Sequence, residues 1–188
     1  MGIFHHAMEG FFNGLGKTSR AVGNPCWSAG MDALYYTLGG FQTSDITDIL
    51  SAKTIILWGM NPAWTSIHGM HYIYEAQKKG ATIITIDPVY TETAKKSDIY
   101  VQVKPNGDGA LAVAIGKYII ENELFDREFL TKYTVGWEEL ARHLDTLSME
   151  EALEQCGLSL EVIQFLAERL ADEKPTSIWI GFGMQRHK

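Results

Sequence analysis

Four short apolar runs constrain this chain more than any other feature. They are Thr54-Ile55-Ile56-Leu57-Trp58, Thr82-Ile83-Ile84-Thr85-Ile86, Ile99-Tyr100-Val101-Gln102-Val103 and Ser177-Ile178-Trp179-Ile180. Each is rich in β-branched or aromatic residues, and each ends at a turn built from Gly, Pro, Asn or Asp. Runs of this length without polar alternation read as strands covered on both faces. Between them the periodicity turns helical. A helix is expected over 65–79, with Ile67, Met70 and Tyr74 on one stripe and Gly80 as its stop. A short turn of helix is expected around 91–96. Asp108 is placed to cap the next helix, which carries Leu111, Ala114, Ile115, Tyr118 and Ile119 on one face. Residues 125–172 read as largely helical, with Ser148 and Glu151 forming a capping box and Ser159 a second cap.

Strand–helix alternation of this kind implies the α/β class: a mostly parallel, Rossmann-like sheet with helices on both faces. Residues 1–50 do not read as an independent domain. A helix over 28–38, closed by Gly39-Gly40, and a short turn over 45–50 are the only regular elements expected there. The chain is therefore divided at residue 50, with 1–50 a partial segment of a neighbouring region and 51–188 the α/β domain. The last residues stop just past a strand, where a covering helix should begin, so the domain is expected to be incomplete and the chain truncated at both ends.

The net charge of −7 argues against duplex nucleic acid as a partner, since phosphate binding needs a basic face. No stretch is long and apolar enough to insert into a membrane. The two cysteines, Cys26 and Cys156, form neither a CxxC pair nor an iron–sulfur run.

Ligands of open parallel sheets bind beyond the carboxyl ends of the strands. The residues expected at that rim are Trp58, Gly59, Asn61 and Pro62 after the first strand, and Asp87, Pro88 and Thr91 after the second. Asn106, Gly107 and Asp108 follow the third, and the Gly181 to Gln185 segment follows the fourth. Gly59 leaves room for a phosphate or ribose against the backbone. The helix after Ala63 offers N–H groups to an anion. Asp87 stands where an acid accepts from ribose hydroxyls. Asp108 matches the N1–H and N2–H donors of a guanine edge and mismatches adenine. The G-x-G-x-x-G fingerprint of NAD and FAD domains is absent after the first strand. The plainer alternative is that these residues only shape turns and cap helices.

Cys26 precedes the expected helix at 28–38, and a thiol at a helix N-terminus is the more easily ionised, metal-ligating form. The alternative is an inert buried cysteine, which is the reading for Cys156. His68 and His71 lie three apart on a helix without a carboxylate to complete a metal set, so they read as surface or interface positions.

Several segments, in this order and spacing, resemble the dimethyl sulfoxide reductase family of molybdopterin oxidoreductases. They are Trp58-Gly59-Met60-Asn61-Pro62-Ala63, Gly80 to Pro88, Thr91-Glu92-Thr93-Ala94 with Ser97-Asp98, and Pro105 to Ala112. Glu121 to Asp126, Gly136 to Leu140 and Gly181 to Gln185 also match. The resemblance runs from about Cys26 to the end.

It implies a fragment of an oxidoreductase holding two molybdopterin guanine dinucleotides around one molybdenum or tungsten atom, with residues 51–188 gripping one dinucleotide. It implies that the Trp58–Thr65 turn, the Asp87–Thr91 turn and Asn106 to Asp108 bind guanosine and phosphate, and that Gln185 approaches a pterin. It also implies that Cys26, 13 residues before Gly39, is the protein ligand to the metal. Trp27 stands where formate dehydrogenases carry His, which argues against formate oxidation. The remaining domains, a 4Fe-4S cluster, an electron-transfer subunit and a small-molecule substrate are the implied partners. The expected setting is the cytoplasmic or periplasmic side in a prokaryote. A nucleotide-binding module without redox chemistry, and a structural subunit that has lost the cofactor, are the alternatives.

Overall fold

A computed structural model of the chain describes residues 3–19, 21–41 and 43–184. The first elements are α1 (Ile3–Leu15), α2 (Trp27–Leu38) and a 3₁₀ turn (Ile46–Ser51). β1 (Thr54–Trp58), α3 (Pro62–Thr65), α4 (Ile67–Lys78) and β2 (Thr82–Ile86) follow, then a second 3₁₀ turn (Ala94–Lys96) and β3 (Ile99–Val101). The rest comprises α5 (Asp108–Glu121), α6 (Arg127–Tyr133), α7 (Trp137–Thr146), α8 (Met149–Cys156), α9 (Leu160–Asp172) and β4 (Thr176–Ile180).

The four apolar runs pair in parallel in the order β3-β2-β1-β4. Burial on both faces explains the absence of alternation in β1 and β2; β4 is an edge strand with Ile178 44 % and Ile180 61 % exposed, so the expectation of cover on both faces fails there. Ile56, Ile84, Ile86 and Val101 face a core closed by Leu111, Ala114, Ile163 and Leu166 of α5 and α9, with Ala152 and Cys156 of α8. Ile55, Leu57 and Ile83 face a second core closed by Ile49, Met70, Ile73 and Ala76. Each fully buried Ile or Leu contributes about 1.5–3 kcal/mol, and helices on both faces are what parallel strands require. Among the described residues, no helix is long and apolar enough to cross a membrane.

Local chemistry sets the element ends. Asp45 accepts from the Thr47 N–H, Asp126 from the Phe129 N–H and Ser148 from the Glu151 N–H, each closing the start of a helical segment. Gly39 ends α2 in the left-handed conformation at φ 74°.

Several expectations are corrected. Residues 3–15, for which no element is expected, form α1. The helix expected over 65–79 is broken at Ser66 (φ −149°, ψ 63°), leaving a single turn that opens on Pro62 and then α4. The buried face of α4 is Gly69, Met70, Ile73 and Ala76, while Ile67 is 70 % exposed. Gly69 is the reason: a Cβ there would stand 3.0 Å from the Trp179 ring, so the helix meets β4 through its bare backbone. β3 stops at Val101, short of the expected Val103, and just beyond it the Gln102 side-chain amide donates to the Pro88 carbonyl at 3.1 Å. Finally, the residue capping α5 is Gly107, and Asp108 is its first helical residue.

Candidate functional site

Because the sheet is all-parallel, its carboxyl ends share one rim, and the register makes them level. Trp58 pairs with both Ile86 and Ile180, and Ile86 pairs with Val101. The ladder continues into the loops: the Gly59 N–H donates to Ile86 O at 2.8 Å, and the Gly181 N–H to Trp58 O at 2.9 Å. The order β3-β2-β1-β4 reverses direction between β1 and β4, so the crevice at a switch point opens above Gly59 and Gly181. The two loops touch there. A Cβ on Gly181 would stand 1.9 Å from the Gly59 carbonyl oxygen, and Gly59 itself has φ +59°. Both positions demand glycine, one for space and one for conformation.

The loop after β1 is tied to the loop after β2 by Thr93. Its hydroxyl, on a side chain 1 % exposed, donates to Asn61 Oδ1 at 2.6 Å and accepts from the Ala63 N–H at 3.1 Å. Pro62 has no N–H and that of Ala63 is consumed by Thr93, so α3 does not offer the anion-binding amides expected of it. Asn61 keeps its amide nitrogen as a donor at the rim.

The loop after β2 is latched to β3. The Val89 N–H donates to Asp87 Oδ1 at 2.8 Å, the Tyr100 hydroxyl donates to Asp87 O at 2.8 Å, and the Tyr90 and Tyr100 rings meet edge-on at 5.0 Å. Burial raises the Asp87 carboxyl above its ordinary value; the Val89 N–H opposes this, and the charge of Asp108 adds to it. Burial and the nearby Asp87 raise the Tyr100 phenol likewise. The Thr91 hydroxyl accepts from the Ala94 N–H at 3.1 Å and so serves its own turn.

Across the rim, the Trp58 indole N–H donates to Asp108 Oδ1 at 2.6 Å. Asn106 holds a left-handed φ of 66°. Gly107 has a packing explanation instead of a ligand one: a Cβ there would stand 2.8 Å from Cys156 Cα and 3.0 Å from Gln155 O. Cys156 is fully buried in the core, as expected of an inert cysteine.

Cys26 stands at the N-cap position of α2, and its N–H donates to Asn24 Oδ1 at 3.0 Å. Its thiol lies 3.5 Å from the Phe182 carbonyl oxygen in the loop after β4. Trp27 packs on Phe182 with ring centroids 5.4 Å apart, which docks the segment on that loop. The rim therefore brings together Trp58, Gly59, Asn61, Pro62, Asp87, Pro88, Asn106 and Asp108, with Cys26 beside its β4 end. Gln185 and His187 lie outside the described residues. Among the described residues, no group of three or more His, Cys, Asp and Glu side chains is arranged to hold a metal, and His68 and His71 are exposed. A groove of about 560 Å³ runs along β4, lined by the first 3₁₀ turn, Met60 and Phe182; of the segments expected at the rim, only those two residues line it.

Sequence reasoning missed Thr93 and the Gly181 joint. Thr93 stands inside the Thr91–Ala94 segment, and its only local signal was a hydroxyl beside the apolar Ala94. Gly181 is expected at the rim with the loop after the fourth strand, but its contact with Gly59 has no local signal.

A family model described as molybdopterin oxidoreductase matches residues 3–188. The chain is 37 % identical over 187 residues to "Probable oxidoreductase YyaE" of Bacillus subtilis, covering 100 % of this chain and 28 % of that protein. It is 34 % identical over 166 residues to the assimilatory nitrate reductase catalytic subunit of B. subtilis, covering 87 % of this chain and 23 % of that protein. To dimethyl sulfoxide reductase DmsA of Escherichia coli it is 32 % identical over 181 residues, covering 83 % and 22 %. The chain thus spans about a quarter of the length of these relatives. Acetylene hydratase from Pelobacter acetylenicus superposes with a TM-score of 0.61 at 26 % identity, covering 71 % of this chain and 20 % of that one. A switch-point crevice between two glycines, a cysteine at its mouth and a family match from end to end agree: the chain belongs to the molybdopterin oxidoreductases of the dimethyl sulfoxide reductase family.

Proposed function

We propose that this chain is the dinucleotide-gripping part of a molybdenum or tungsten enzyme built on two molybdopterin guanine dinucleotides. Residues 51–188 hold one dinucleotide, and residues 1–50 belong to the neighbouring region that brings Cys26 to the metal. The observation that carries this reading is the Cys26 thiol 3.5 Å from Phe182 O, on the loop that meets Gly59 at the sheet's switch point.

The donor and acceptor set fits the group, and fits it in one direction. Asp87 and Asp108 sit close enough for one charge to raise the other's pKa, so that end repels phosphate and seeks N–H and O–H donors. A guanine edge and ribose hydroxyls supply those donors. The Gly59–Gly181 joint carries no carboxylate, so the diphosphate lies over it and away from the acidic end; the joint's own N–H groups already serve Ile86 O and Trp58 O, which leaves Asn61 as the side-chain donor there. Asn61, held by Thr93, donates between the two ends. The pterin then lies toward Cys26 and Gln185. A cysteine thiolate joins a coordination sphere already rich in sulfur, as a soft metal prefers.

When bound, the group supplies a metal that exchanges an oxygen atom or a hydride equivalent with a small substrate. This chain's residues bind and orient it, and Cys26 completes its coordination. The 4Fe-4S cluster, the substrate pocket and the electron-transfer partner belong to the rest of the enzyme.

The test uses the full-length protein from a host competent in cofactor synthesis. Molybdenum or tungsten should copurify, and acid hydrolysis should release two GMP per metal. In Cys26→Ser, X-ray absorption at the metal should show one sulfur neighbour fewer, with GMP content unchanged. Protein free of both metals and of GMP would sink the reading, and an unchanged sulfur count in the variant would remove Cys26 as ligand.

A further inference from the structure

The Trp58–Asp108 contact has no structural necessity on its face. Asp108 is the first residue of a 14-residue helix, where a carboxylate ordinarily serves its own free N–H groups. Here it makes no cap bond. Its Oδ1 is instead taken at 2.6 Å by an indole N–H from the end of β1, 50 residues away. Indole is a donor only, with one hydrogen in a fixed plane, and the Trp58 ring is itself wedged against the core formed by β1, β2 and α5. A rigid donor on one oxygen fixes the rotation of the whole carboxylate.

We infer that Trp58 is a positioning residue for guanine selectivity: its N–H locks the Asp108 carboxylate in the plane that accepts the paired N1–H and N2–H donors of the base. This rests on the guanine reading above and deepens it. A carboxylate oxygen has two lone pairs, so Oδ1 can keep the indole bond while it and Oδ2 receive the base. Without the indole, the carboxylate can swing onto the free amides of α5, and the energy of straightening it falls on the ligand. Selectivity should suffer more than affinity for the ribose and phosphates, since the contacts at Asp87, Gly59 and Asn61 do not pass through Trp58.

The experiment is a titration of the 188-residue chain with GDP, IDP and ADP, where IDP lacks only the 2-amino donor. Wild type is expected to bind in the order GDP, IDP, ADP. Trp58→Phe keeps an aromatic ring and removes the N–H; it should lower the GDP-to-IDP preference about fivefold to tenfold, with IDP affinity little changed. Asp108→Asn should erase the preference. If Trp58→Phe unfolds the chain, 3-benzothienylalanine at position 58 replaces the N–H with sulfur at nearly constant shape and gives the same readout. A preserved GDP-to-IDP ratio in Trp58→Phe or the 3-benzothienylalanine variant overturns the role of Trp58 and leaves the guanine reading intact, whereas a preserved ratio in Asp108→Asn overturns both. Wild type that binds GDP no better than ADP overturns the guanine reading and this inference with it.

Discussion

Replacing Gly181 with alanine tests whether β1 and β4 are joined at the switch point as the structure has them. The new Cβ would stand 1.9 Å from Gly59 O, 2.7 Å from Gly59 C and 3.3 Å from Met60 Cα. Real Cβ atoms do not come within 3.0 Å of such neighbours, so the two loops must part by more than an ångström. A methyl has no rotamer to escape through, and the obstacle is backbone, so no side chain can give way. Parting the loops strains the Gly181 N–H bond to Trp58 O, which continues the β1–β4 ladder. Overpacking costs about 1–3 kcal/mol and a lost hydrogen bond about 1 kcal/mol more, so a destabilisation of about 3 kcal/mol is expected. A domain of this size has roughly 5–15 kcal/mol in hand, so the variant should still fold. Urea denaturation followed by tryptophan fluorescence would read the change as a midpoint lowered by about 1–2 M. Gly183 provides the control two residues away. A Cβ there meets nothing within 4 Å among the described residues, so Gly183→Ala should stay within about 0.5 kcal/mol of wild type. Equal stability of the two variants, in either direction, would refute the joint.

Three further outcomes follow from single contacts. Thr93→Val keeps the shape and removes the hydroxyl that serves Asn61 and Ala63; it should cost about 1–2 kcal/mol in urea denaturation, and no loss would mean that the two loops are not held through Thr93. Lys117 is 8 % exposed and its ammonium donates to Leu144 O and Asp145 O, both at 3.3 Å, where α7 ends. Lys117→Met should cost about 1–2 kcal/mol by leaving those carbonyls without a donor, and a stabilised variant would contradict this. Burial holds the Asp87 carboxyl above its ordinary value of 3.8, so the native state keeps the proton longer than the unfolded chain, and stability is lost as pH rises through the raised value. Asp87→Asn should therefore gain less than about 1 kcal/mol over wild type near pH 7, the group being partly solvated. That gain should fade as the pH falls to about 4, and a gain independent of pH would contradict the cause assigned.

The fold was legible wherever its signal was local and repeated. Strands covered on both faces leave runs such as Thr82 to Ile86, and a cap such as Ser148 acts within three residues of itself. The readings failed where a distant partner overrode a local pattern. The stripe of Ile67, Met70 and Tyr74 is a fair amphipathic face in isolation. Met70 and Tyr74 do meet the core, but Trp179, far along the chain, rests on Gly69, and Ile67 is left exposed. Asp108 reads as a helix cap, but Gly107 takes that position and the Trp58 indole holds the Asp108 carboxylate.

The same distinction separates what was visible of the site from what was not. A parallel sheet puts every strand's carboxyl end at one rim, so residues after each run must be neighbours there, and composition alone nominates Gly59, Asn61, Asp87 and Asp108. What joins those loops is pairwise and remote: Thr93 to Asn61, Gly181 to Gly59, and Cys26 to Phe182 across 156 residues. Nothing in the residues around Gly181 distinguishes a glycine that merely ends a strand from one against which another backbone lies. Gly107 makes a related point. It read as part of the ligand rim, yet Cys156 and Gln155 occupy the space a side chain would need, so packing against α8 alone accounts for its being glycine. Gly181 and Gly107 are thus glycine for the same kind of reason, a neighbouring backbone lying where a Cβ would stand, and the difference is only which elements are joined: β1 to β4 at the rim, or the start of α5 to the end of α8.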